Sequence, residues 1–156
     1  MNSEYVAVAS GEARLLLRGE DVFAASLDQL KGGSYYTAFL PDSALIAGAH
    51  YCDDLVVAED GVPNLRPGFS ALRVANMTGS VVNVQLCSGM TALIIEAQPH
   101  VVTPYQVISA AGDLDLVTVR LGNSEIKVCA LPLKTYSLVI SGKEGHVELE
   151  VMRDAF

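Results

Sequence analysis

Apolar and polar residues alternate one by one along several stretches of this chain. Val82, Val84 and Leu86 alternate with Asn83 and Gln85. Val147, Leu149 and Val151 alternate with His146, Glu148 and Glu150, and Ile126 and Val128 stand opposite Glu125 and Lys127. A period of two gives each segment one buried and one wet face, as in antiparallel sheets. Turn signals separate these runs at short intervals: Thr78–Ser80, Cys87–Met90, Ala111–Asp113, Leu121–Ser124 and Ser141–Gly145. Only Val22–Leu30 carries helix-like spacing, and its neighbours argue for a strand. The pattern predicts an all-β protein. From Ala71 to Met152 it offers about seven strands, the inventory of an immunoglobulin-like antiparallel β-sandwich.

The run DGVPNLRPGF, from Asp60 to Phe69, concentrates Pro, Gly and Asn between the apolar segments. It reads as a linker or an ordered crossing loop. The predicted organisation is an N-terminal partial sandwich over residues 1–60, a linker over 61–69 and a complete C-terminal sandwich over 70–156. Two stretches resemble one another: one starting at Tyr5 and ending in LKGGSYYTAFLPD, the other starting at Tyr105 and ending in LKTYSLVISG. Tyr5 and Tyr105 stand 100 residues apart; Gly19 and Gly122, like Lys31 and Lys134, stand 103 apart. The second copy is preceded by the segment Phe69–Val102, and the first has no such opening. A half sandwich exposes unpaired edges. The expectation is that packing on the second domain, pairing with another chain, or residues cut from a longer protein complete it. Such edges also leave room for self-association.

Composition narrows the function classes. The 156 residues are 51% apolar, enough for a real core, and carry a formal net charge of −8. That charge disfavours nucleic acid, whose phosphates need clustered Lys and Arg. No run approaches the roughly 18 apolar residues of a membrane span. No basic, apolar leader opens the sequence, which read alone leaves a cytoplasmic protein or one whose leader has been removed. Three cysteines at wide spacing, Cys52, Cys87 and Cys129, form neither a disulfide framework nor a zinc motif.

Candidate chemistry is sparse. His50 and Cys52 flank Tyr51, but two potential ligands two residues apart are a weak metal signal, so no metal and no cofactor are expected. His100 has no acid or nucleophile beside it in sequence, and His146 falls on a wet strand face. No nucleophile elbow or phosphate-cradling glycine loop is present, so no catalytic residue is assigned and the chain is read as a non-enzyme. Cys87 and Cys129 both take outer-face parity, which argues against an inter-sheet core disulfide. A bridge between them needs their two strands to be neighbours. Tyr35, Tyr36 and Tyr51 are candidates for an aromatic platform that binds a sugar, with strand and core tyrosines as the alternative.

The strand ALRVANMT, Ala71–Thr78, and the tyrosine pair in SYYTAFL, Ser34–Leu40, resemble the alginate O-acetylation protein family AlgF and the related accessory proteins of cellulose acetylation. In that family a strand with Arg-Val and then Asn opens the second domain, and a tyrosine pair precedes an apolar strand near the end of the first. The resemblance implies tandem β-sandwich domains, export to the periplasm, and a non-catalytic partner of acetyltransferase proteins that modify an exopolysaccharide. The runner-up expectation is a carbohydrate-binding sandwich that touches polysaccharide directly. An enzyme whose residues assemble from loops is the third.

Overall fold

The computed structural model describes residues 11–18, 22–31, 34–39, 56–61, 63–88, 91–110, 116–143 and 146–154. Every regular element among them is a strand. The chain divides into two compact units, one of Glu4–Asp60 and one built on Gly61–Phe156.

The larger unit holds two sheets. The first orders β11 (Ser124–Cys129), β10 (Leu116–Leu121), β6 (Val82–Ser88) and β7 (Thr91–Ala97), all antiparallel. Gly122 adopts φ 56° in the two-residue turn between β10 and β11. Glycine reaches this left-handed geometry without steric cost, and hairpin turns of this length use it. The second sheet orders β13 (His146–Arg153), β12 (Thr135–Lys143) and β5 (Phe69–Asn76). Beyond β5 lie β8 (Val101–Val102) and β9 (Gln106–Ser109), both on the same edge of it.

β8 and β9 are one line of pairing interrupted at Thr103–Tyr105. The Thr103 amide donates to Val74 O at 2.8 Å, while its hydroxyl accepts from the Val74 amide at 2.9 Å. Pro104, which has no amide hydrogen, follows at the break. β12 and β5 run parallel, from Thr135 opposite Ala71 to Ile140 opposite Asn76. This one parallel pair departs from the purely antiparallel expectation. Alternation explains the pleat, not the direction of a neighbour joined through a long connection.

The core lies between the two sheets. Val82, Val84, Leu86, Val117, Val119 and Val128 from the first meet Leu72, Val74, Ile108, Leu138 and Ile140 from the second. Val82, Val84, Leu86 and Val128 are residues that the period of two assigns to the buried face, whereas Val147, assigned with them, is exposed. Asn83, Glu125 and Lys127, of opposite parity, are exposed. The predicted turn Ser141–Gly145 is shorter than expected: β12 continues to Lys143 and β13 begins at His146. Gly142 takes φ 110° near its end.

In the smaller unit, β1 (Gly11–Arg18) pairs antiparallel with β2 (Val22–Leu30), and β3 (Tyr36–Phe39) pairs antiparallel with β4 (Val56–Glu59). Val22–Leu30 is therefore a strand despite its helix-like spacing, with every register position from Val22 to Leu27 opposite a β1 residue. Leu30, Phe39 and Val56 are buried.

Candidate functional site

Two polar arrangements stand out, and they share a pattern. In the larger unit the turn Leu131–Lys134 leads into β12. The Leu131 amide donates to the Tyr136 hydroxyl at 2.9 Å, and the Lys134 amide donates to Leu131 O at 3.3 Å. A tyrosine hydroxyl reaching back to an upstream backbone group is the device known as a tyrosine corner. The next residue, Ser137, donates its hydroxyl to Asp154 Oδ1 at 2.7 Å, and the Asp154 amide donates to Thr135 O at 2.9 Å.

The smaller unit repeats each bond. The Lys31 amide donates to the Tyr36 hydroxyl at 3.0 Å, and the Ser34 amide donates to Lys31 O at 3.4 Å. Thr37 donates its hydroxyl to Asp60 Oδ2 at 2.6 Å, and the Asp60 amide donates to Tyr35 O at 2.7 Å. Register agrees: Tyr36 stands opposite Glu59, one before Asp60, and Tyr136 opposite Arg153, one before Asp154. The hairpins β3–β4 and β12–β13 are thus equivalent, with Lys31 matching Leu131 and Ser34 matching Lys134. The Leu-Lys dipeptides that look alike in sequence lie three residues out of this register.

The larger unit adds an arginine from β5. Arg73 is 2% exposed. Its Nε donates to Ser137 Oγ at 2.8 Å, and its Nη2 lies 4.0 Å from Asp154 Oδ1. Tyr105 donates to Asp154 Oδ2 at 2.7 Å, and its ring lies under the guanidinium, 4.7 Å from centroid to Cζ. Asp154 thereby accepts from two hydroxyls beside a cation. Ser137, fully buried, donates toward the carboxylate and accepts from the guanidinium, and so bridges the two. With Arg73 and Ser137 buried, the cluster ties β5 and β12 to the residues just before β9 and just after β13.

Asn76 plays the matching part at the other end of β5. Fully buried, it donates to Ser80 O at 2.7 Å and to Ala97 O and Gln98 O at 3.1 Å each. Its Oδ1 accepts from the Thr78 amide at 3.0 Å and the Thr78 hydroxyl at 2.7 Å. The Arg and Asn of ALRVANMT are therefore internal fasteners of the sandwich.

The sequence-derived site residues separate. Tyr36 turns its hydroxyl to the corner, while Tyr35 is 60% exposed. Neighbouring positions entering a strand point apart, so the two do not share a platform. Tyr51 lies outside the described residues, as do His50 and Cys52. Cys87 is half-buried on β6 and Cys129 exposed on β11, both as free thiols. β10 lies between their strands, with Thr118 opposite Cys87 and Leu116 opposite Cys129. Two strand spacings are about 10 Å, beyond the roughly 7 Å limit for bridged Cα atoms, so the Cys87–Cys129 disulfide does not form in this arrangement. Among the described residues no three His, Cys, Asp or Glu side chains gather to hold a metal ion. Among them, too, no helix is long and apolar enough to cross a membrane.

At the surface, Ser34 donates to Glu59 at 2.8 Å and Lys31 Nζ lies 3.5 Å from its other oxygen. The Ser34 hydrogen bond, then the Lys31 charge, hold the Glu59 carboxyl below its ordinary value. Glu125, at 2.8 Å, raises Arg120 by hydrogen bonding and by charge.

Sequence reasoning missed the buried cluster and both corners. A Tyr followed by Thr or Ser, with a later Asp closing the hairpin, was the available signal: Tyr36-Thr37 with Asp60, and Tyr136-Ser137 with Asp154.

No family model and no curated protein matches the sequence. Among solved structures, the N-terminal domain of AlgF from P. aeruginosa is similar at 22% identity. The match covers 55% of this chain and 95% of that one, with a TM-score of 0.41.

Proposed function

We propose that this chain is a non-catalytic accessory protein of exopolysaccharide O-acetylation, of the alginate or cellulose type. It would work in the periplasm by docking acetyltransferase proteins. The observation that supports this most is the fit of the ALRVANMT motif to its place in the fold. The strand that resembles the family's second-domain opening is central to the larger unit, and its Arg73 and Asn76 are the residues that fasten it. On this reading the buried polar chemistry serves the scaffold, and function rests on exposed surface.

Deleting the gene in its own host should lower the acetyl content of the secreted polysaccharide without lowering its amount. The purified chain should bind a purified acetyltransferase of the same cluster by calorimetry. Unchanged acetylation on deletion would sink the proposal. Direct carbohydrate binding is the second reading, favoured by the exposure of Tyr35. It predicts that Tyr35→Ala weakens affinity for the purified polysaccharide.

A further inference from the structure

One bulky residue holds a backbone conformation that it should avoid. Leu133 adopts φ 62° and is 51% exposed. Left-handed geometry is a true outlier for a large side chain, and such strain persists where something else requires it. The turn itself does not require leucine. The hairpin equivalence aligns Leu133 with Gly33 in sequence, the residue type that meets φ > 0 freely. Burial does not require it either, since half the side chain faces solvent.

Its surroundings supply a reason. The Leu133 amide donates to Phe69 O at 2.8 Å, which ties the turn Leu131–Lys134 to the turn Arg66–Phe69. Phe69 is 41% exposed and Leu131 46%. Val107, 55% exposed, pairs with Ala71 and so shares the sheet face of Phe69. Phe69, Leu131 and Leu133 thus stand exposed on two turns joined by that bond, with Val107 exposed on the strand paired to β5. Arg66 is exposed at the start of one turn, and Lys134 is half-buried at the close of the other. Exposed large apolar side chains on neighbouring backbone segments suit a protein contact.

The geometry points to these two joined turns as a docking site for a partner protein that presents an apolar segment flanked by carboxylates. Charge selects that occupant. Arg66 and Lys134 complement acidic flanks at short range. The inference deepens the docking reading above, because it gives that reading a surface and a partner chemistry.

A phage-displayed library of random peptides, panned on the intact chain, tests it. The enriched peptides should carry an apolar centre with Asp or Glu beside it. A synthetic version of the best should lose at least about tenfold in affinity on Leu133→Gly, measured by fluorescence anisotropy. Leu133→Gly should melt no lower than the parent, because glycine relieves the left-handed strain, so a binding loss cannot be misfolding. Arg66→Glu with Lys134→Glu should reverse the preference toward basic flanks. Binding that survives Leu133→Gly, or enrichment with no acidic bias, overturns the proposal. So does Leu133-dependent binding to phosphatidylcholine or phosphatidylglycerol vesicles, or Leu133-dependent dimerisation in sedimentation. If the surface fails while gene deletion still lowers acetylation, the accessory role stands. If deletion leaves acetylation unchanged, that role falls, and peptide binding still decides the surface.

Discussion

Tyr136 and Tyr36 do the same job in different solvent. Tyr136 is 5% exposed and belongs to the core, whereas the Tyr36 bond to the Lys31 amide is exposed. Removing one hydroxyl strands an amide, which costs about 1 kcal/mol and more where water cannot replace it. Tyr136→Phe should therefore destabilise the larger unit by about 1 kcal/mol in urea titration, and Tyr36→Phe should cost less. Glu59 offers a pH test. Its carboxyl is held below the ordinary value by Ser34 and then Lys31, so the folded state favours its ionised form. Any stabilisation is present above the unfolded-state value and fades as pH falls through the folded one. Ser34→Ala should move the Glu59 titration, followed by NMR, upward toward the ordinary carboxylate value. None of these roles shows in periodicity. A strand pattern assigns Tyr136 a buried position, but its bond to Leu131 depends on a turn whose shape the pattern does not encode.

At the scale of elements, alternation made β6 and β11 legible, because each buries one face, and β13 in part, with Leu149 and Val151 against the core and Val147 exposed. β5 was harder: Ala71, Leu72, Arg73, Val74, Ala75 and Asn76 are all buried, so neither face reads as wet. An arginine inside that strand looks like a surface residue until Tyr105, Ser137 and Asp154 arrive from distant sequence. The position of β10 between β6 and β11 was equally hidden, since parity places two cysteines on a face without saying which strands are neighbours. The β5 cluster has a measurable consequence. Asp154→Ala leaves a buried guanidinium without its counter-charge and two hydroxyls without their acceptor, and should cost about 3–5 kcal/mol. Arg73→Met removes the stranded charge. In a double-mutant cycle the pair should therefore fall short of the sum of the single changes by about 1–3 kcal/mol. Simple additivity would show that Arg73 and Asp154 are not coupled.

At the scale of the molecule, the two units carry equal closing hairpins on unequal foundations. The larger unit packs one contiguous core between a four-stranded and a five-stranded sheet. Each of its nine strands, β5 to β13, finds its partners inside Gly61–Phe156. Among the described residues of the smaller unit, pairing is limited to two ribbons of two strands each. Two-stranded ribbons are marginal in water, and a third strand or a packed partner is what makes a sheet independently stable. The shared corner does not change this, because hydrogen bonds of about 1 kcal/mol fix a hairpin's geometry without supplying a core. A fragment of residues 61–156 should therefore melt in one cooperative transition by circular dichroism. A fragment of residues 1–60 should show no cooperative transition alone. Cooperative melting of the shorter fragment would mean that residues outside the described set complete its sheets. Failure of the longer one would mean that the core between its sheets is insufficient without the smaller unit.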